Sequence, residues 1–206
     1  MNFLRIFIPA VGLLAFGTSA AAHEAHVHGV AHMNLLVEKQ AVEIELVTPL
    51  ANVLSFEHEP ETDGQKQEVR DMAAIMRNAD KLFILPADAQ CELKEVSMSS
   101  EVISPELLSA EVEKEHQGSY EHNGHSHDGG PEHNEHSHDG GHEEEHGHSD
   151  LDVDIAFICR NPEKLDSINV GMFKAFPSLH EIEVQMVTPK GQSAAELTSD
   201  SAVIRW

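Results

Sequence analysis

From Ala31 to Val37 every second position is apolar, with Ala31, Met33, Leu35 and Val37 alternating with His32, Asn34 and Glu38. After Lys39-Gln40 the alternation resumes, Val42, Ile44 and Leu46 against Glu43 and Glu45. A period of two is the mark of a half-buried strand, and two such runs joined by two residues predict a hairpin. Thr62-Asp63 then supplies N-cap residues, and Val69, Met72, Ala73, Met76 and Ala79 recur at helical spacing. That spacing predicts one main helix, whose methionines read as core rather than as a metal-binding stripe. Further on, Leu151, Val153, Ile155, Phe157 and Cys159 form an apolar row opposite Asp152, Asp154 and Arg160. Shorter strands are expected at Ile168–Met172, Ile182–Met186 and Val203–Ile204, with one helical turn at Pro162–Leu165. The fold class is α+β, a mostly antiparallel β-sheet with one main helix.

Between Glu113 and Ser149 the pattern stops. There is no Val, Ile, Leu, Met, Phe or Trp in this stretch, and Tyr120 is its one sizeable hydrophobe. Such a segment buries too little apolar area to offset the entropy of ordering its backbone, so disorder is expected. It also repeats. Glu121-His-Asn-Gly-His-Ser-His-Asp-Gly-Gly130 returns at Glu132–Gly141 with nine of ten positions identical, and a degenerate third copy carries His142, His146 and His148. Residues 23–206 therefore read as a single domain with a His/Asp/Glu/Gly-rich insertion at 113–149. The insertion is expected to leave from the end of one strand and return at the start of another.

The first 22 residues have a different character. Arg5 follows the initiator, Ile6 to Gly17 is apolar apart from Pro9, and Ala20-Ala21-Ala22 offers an A-x-A cleavage site. This is the pattern of a secretory signal peptide, too short to be a normal membrane span, and it points to a periplasmic protein with no direct membrane insertion. In an oxidising compartment the two cysteines, Cys91 and Cys159, read as one structural disulfide between two strands. Neither sits in a C-x-x-C or beside a histidine.

Composition sharpens the question. The chain of 206 residues carries 13 Lys+Arg against 36 Asp+Glu, a formal net charge of −23, which excludes nucleic-acid binding by phosphate neutralisation. It also carries 16 His, ten of them between His116 and His148. In the repeats these are His122, His125 and His127, then His133, His136 and His138, then His142, His146 and His148. Imidazole is a borderline ligand suited to Zn, Cu and Ni, and the neighbouring Asp and Glu supply oxygen donors. A flexible chain with Gly-Gly hinges brings three nearby imidazoles round one ion. A solvated acidic spacer, by contrast, needs no histidine. The tract therefore reads as metal-binding. The Irving–Williams order would favour Cu(II) over Zn(II), so affinity alone does not select the metal.

A second cluster lies at the mature N-terminus: His23, His26, His28 and His32, joined by His58 with Glu57 and Glu59. His26 and His28, two apart in an extended segment, lie on one face. Together with His58 they are the expected folded metal site. His23-Glu24-Ala25-His26 is one residue short of the H-E-x-x-H helix of metalloproteases, and no Gly-rich phosphate loop or G-x-S-x-G is present. His180 stands alone and reads as a surface histidine.

Several short motifs carry a resemblance. Ala25-His26-Val27-His28-Gly29, Thr48-Pro49-Leu50-Ala51-Asn52, Phe56-Glu57-His58, Ala89-Gln90-Cys91, Phe157-Ile158-Cys159 and Phe173-Lys174-Ala175-Phe176-Pro177, with the tract between, resemble the ZrgA-type periplasmic zinc-uptake proteins. One position departs, Ser55 standing where the resemblance implies a small glycine. What the resemblance implies is a non-enzymatic protein that captures Zn(II) in the periplasm and feeds zinc transporter components of the cell envelope. The alternative from the residues alone is a periplasmic copper or nickel buffer. A metallohydrolase would need an open coordination position and a general base in a cleft.

Overall fold

The computed structural model describes residues 27–109 and 149–206. The alternating runs are strands: β1 (Val30–Glu38) and β2 (Ala41–Pro49) form the expected hairpin, with Glu38 opposite Ala41. Lys39, at its tip, takes φ 54°, the left-handed conformation that such a tight turn requires. Thr62 caps α1 (Asp63–Arg77): its hydroxyl accepts the Gln65 N–H while the Gln65 side chain accepts the Thr62 N–H, a capping box. Val69, Met72, Ala73 and Met76 are the buried face of α1, so the methionine stripe is core. Ala79 begins a separate short helix, α2 (Ala79–Leu82), which leads into β3 (Phe83–Ile84).

The remaining elements are β4 (Cys91–Ser99), α3 (Pro105–Ser109), β5 (Asp150–Cys159), β6 (Ser167–Val170), α4 (Met172–Ala175), β7 (Glu181–Thr188), β8 (Gly191–Thr198) and β9 (Val203–Arg205). The expected strand at Ile168–Met172 stops at Val170, and Met172 opens α4 instead. The expected turn near Pro162 is a 3-10 turn, Pro162–Lys164. Two sheets result, β4-β5-β2-β1-β7-β8 and β3-β6-β9. Every pairing is antiparallel except β1 with β7. One face of the larger sheet (Met33, Leu35, Ile44, Leu46, Val153, Phe157, Ile182, Val184) is buried in a core shared with α1 and the smaller sheet. The disulfide is formed, Cys91 and Cys159 being register partners on β4 and β5.

The chain enters the His-rich region differently from the expectation. After β4 it makes α3, which ends at Ser109, so among the described residues a helix rather than a strand precedes the insertion. At the other end Ser149, assigned by composition to the insertion, is buried in the fold directly before β5. The expected disorder, the nine tract histidines, the signal peptide, His23 and His26 all lie outside the described residues.

The outward face of the large sheet is acidic, with Glu43, Glu45, Asp152, Asp154, Glu183 and Glu196 exposed on it. Partial burial, then the like charges of Asp150, Asp154 and Glu101, raise the pKa of Asp152 above the ordinary aspartate value. A carboxyl whose folded pKa is raised binds its proton more tightly when folded, so ionised Asp152 lowers stability at neutral pH, and the deficit fades as pH falls through the raised value. Asp152→Asn should therefore melt above the unsubstituted chain at pH 7. The gap should close on acidification towards the normal carboxylate range, as thermal melts across pH 7 to 4 would show.

Candidate metal centre

The site is built where β1 begins. Val27 to Val30 form a turn closed by the Val30 N–H donating to the Val27 carbonyl (3.0 Å), with Gly29 at its third position and φ +89°. A positive φ at that position is the requirement of a type II turn, and glycine meets it without strain. Both polar groups of Gly29 are held. Its carbonyl accepts the N–H groups of His180 (2.8 Å) and Glu181 (2.9 Å), and its own N–H donates to Asn52 Oδ1 (2.6 Å). A Cβ at this position would lie 2.9 Å from His180 Cδ2. Gly29→Ala should accordingly cost about 1–2 kcal/mol from backbone conformation alone, with the steric contact added, measured as a lower urea midpoint.

The opposite wall is the 3-10 turn Leu50–Asn52 that follows β2. Its three residues each hold a different piece of chain. The Leu50 N–H donates to the Ser149 carbonyl (2.9 Å), where the chain returns from the tract. The Ala51 N–H donates to Glu57 Oε1 (3.4 Å). Asn52 holds Gly29. Glu57, a residue of the loop that follows, places both carboxylate oxygens 3.1 Å from His28 Nε2. The His28 side chain is 54% exposed and that of Glu57 only 21%, so the carboxylate is part of the wall and the imidazole stands over it towards solvent.

An imidazole against a carboxylate is the arrangement by which proteins fix the ring and raise its basicity for a metal on the other nitrogen, while the carboxylate can itself ligate as an oxygen donor. In the first arrangement His28 ligates through Nδ1 and Glu57 orients it; in the second, His28 and Glu57 are two adjoining donors of the kind zinc takes. His58 is held separately. Its Nδ1 lies 2.8 Å from the Glu59 carbonyl, its Nε2 3.5 Å from the Gln65 amide nitrogen, and its ring 5.3 Å from that of Phe56. An Nδ1–H given to a carbonyl leaves the lone pair on Nε2, the tautomer suited to ligation.

Of the three residues expected at the folded site, His26 is outside the described residues, His28 meets Glu57, and His58 is anchored by its own loop. His32 points from the sheet surface, its Nδ1 3.3 Å from Glu183 Oε2 on the neighbouring strand. His180 is exposed, and its contribution here is its backbone N–H. Among the described residues no three His, Cys, Asp or Glu side chains already form a metal-holding group. Ser55 makes the expected glycine unnecessary. Its N–H and hydroxyl donate to the two oxygens of Glu68 on α1 (2.6 and 2.8 Å), and among the described non-glycine residues only Lys39 and Gln90 have positive φ.

Sequence reasoning missed Asn52, although it ends the Thr48–Asn52 motif, because nothing local shows that two of its partners, Gly29 and Val30, lie more than twenty residues upstream. No curated protein matches the chain. The family model described as "ZrgA family zinc uptake protein" matches residues 25–206, a span that begins at the histidines before β1 and takes in the Leu50–Asn52 turn, Glu57 and both cysteines. On that match, covering nearly the whole chain, this protein belongs to the ZrgA family of zinc uptake proteins.

Proposed function

We propose that this protein is a non-enzymatic, periplasmic zinc-capture protein. In this reading residues 1–22 are a cleaved signal peptide and residues 23–206 one zinc-binding domain. Histidines 122, 125, 127, 133, 136, 138, 142, 146 and 148 collect Zn(II) in the His/Asp/Glu/Gly-rich insertion, and His26, His28 and His58 form a more organised site. The metal is then passed to transporter components of the cell envelope. No helix among the described residues is long and apolar enough to cross a membrane.

The observation that carries this reading is the His28–Glu57 pair, mounted on the same three-residue turn that anchors the chain's return from the tract at Ser149. A donor pair fixed by the fold binds with less ordering cost than a tract that the metal must organise itself. Placing it at the foot of the tract lets short-range capture feed a fixed site without a long diffusive step. Glu57 joins the proposed donors on the strength of this geometry.

The test is the metal content of protein isolated from the periplasm without added metal. Zinc in excess over copper and nickel is expected. Predominant copper or nickel, together with expression induced by metal excess rather than scarcity, would instead favour a protective buffer.

A further inference from the structure

The geometry points to Asn52 as the positioning residue of the His28–Glu57 pair; this rests on the reading of that pair as zinc donors. Asn52 is only 2% exposed. Its Oδ1 accepts the Gly29 N–H (2.6 Å), and its Nδ2 donates to the Val30 carbonyl (2.9 Å) and to Thr48 Oγ1 (3.0 Å). Thr48 is itself fully buried. Asn52 thus bonds to neither His28 nor Glu57, yet it bonds to both residues that follow His28 in the chain.

The consequence is geometric. With its N–H on Asn52 and its carbonyl on His180 and Glu181, Gly29 cannot rotate without breaking buried hydrogen bonds. Its φ of +89° sets the direction from which the chain enters β1, and so where the His28 imidazole stands. The neighbouring residue of the same turn, Ala51, donates to Glu57. One buried carboxamide therefore joins the segment that carries the imidazole to the turn that orients the carboxylate. A carboxamide is suited to this because its oxygen accepts the Gly29 N–H while its two N–H donors serve Val30 and Thr48; a hydroxyl has a single donor, and an ionised carboxylate has none. Outer partners that orient metal ligands typically contribute 10- to 100-fold in affinity.

The experiment uses the full chain, isotopically labelled at histidine and glycine, and follows the imidazole and glycine amide resonances by NMR during zinc titration. His28 is assigned with His28→Gln. The tract histidines serve as an internal control, since among the described residues the Asn52 side chain bonds only Gly29, Val30 and Thr48. In Asn52→Ala we expect the apparent zinc affinity read at His28 to fall roughly 10- to 100-fold. The tract resonances should titrate as before, and the Gly29 amide should lose the low-field position of a short hydrogen bond. Unchanged affinity at His28 in a folded Asn52→Ala protein overturns the inference, as does an equal loss at His28 and in the tract.

Should Asn52→Ala not fold, Thr48→Val decides. It removes one of the three bonds that orient the carboxamide, and a smaller loss confined to His28 supports the inference, while no loss overturns it. If His28 in the unsubstituted chain does not respond to zinc at all, the zinc-site reading itself fails and takes this inference with it. That result differs from a site that responds and is indifferent to Asn52.

Discussion

Zinc affinity falls by up to roughly 1,000-fold per pH unit once the solution is acidified below an ordinary imidazole pKa of ~6.5, if three histidines hold each ion. Protons and zinc compete for the same ring nitrogen, and three protons must leave together. Carboxylates titrate near ~4, so a site built on the abundant Asp and Glu would change little between pH 7 and 5.5. The two donor classes are intermixed throughout residues 113–149, and pH separates them where composition does not. Calorimetric titration at pH 7.5, 6.5 and 5.5, in buffers of different ionisation enthalpy, should show proton release that grows from 7.5 to 6.5 and binding that collapses by 5.5. A flat affinity would assign the metal to the acidic residues.

The second large effect is on stability. Cys91 and Cys159 close a loop with a sequence separation of 68, which in the chain-entropy model contributes about 4 kcal/mol by restricting the unfolded chain. That is a large fraction of the 5–15 kcal/mol typical of a folded domain, so reduction, or Cys91→Ser with Cys159→Ser, should lower the urea midpoint strongly. Zinc binding to the tract should survive, because neither cysteine belongs to it. Two free thiols in the unfolded, unreduced chain, or an unchanged midpoint on reduction, would contradict this.

How far the sequence exposed this molecule follows from where each interaction lies along the chain. β1, β2 and β5 were legible because one face of each is buried and the other solvated, which writes a period of two into the residues. β8 was not. At the sheet edge its Gln192-Ser193-Ala194-Ala195 run is largely exposed, and small or polar residues there leave no alternation to read. The parallel pairing of β1 with β7 joins segments about 150 residues apart, and no local pattern encodes it. The disulfide was legible because compartment and strand pattern agree on it. The candidate site was legible in its residue types and hidden in its arrangement. His28 stood out as one of a cluster, but its meeting with Glu57, 29 residues on, depends on a turn whose key side chain, Asn52, looks unremarkable in sequence.

The central claim, that histidines in two places hold zinc, is tested most directly by counting ions. Native mass spectrometry of the zinc-saturated mature chain should find about three ions on the nine tract histidines and about one more on the folded site. The same chain with residues 113–148 replaced by a short Gly/Ser linker should remain folded and keep about one, since the deletion stops short of Ser149 and its bond to Leu50. An unchanged count after deletion, or a deleted chain that no longer folds, would contradict the account.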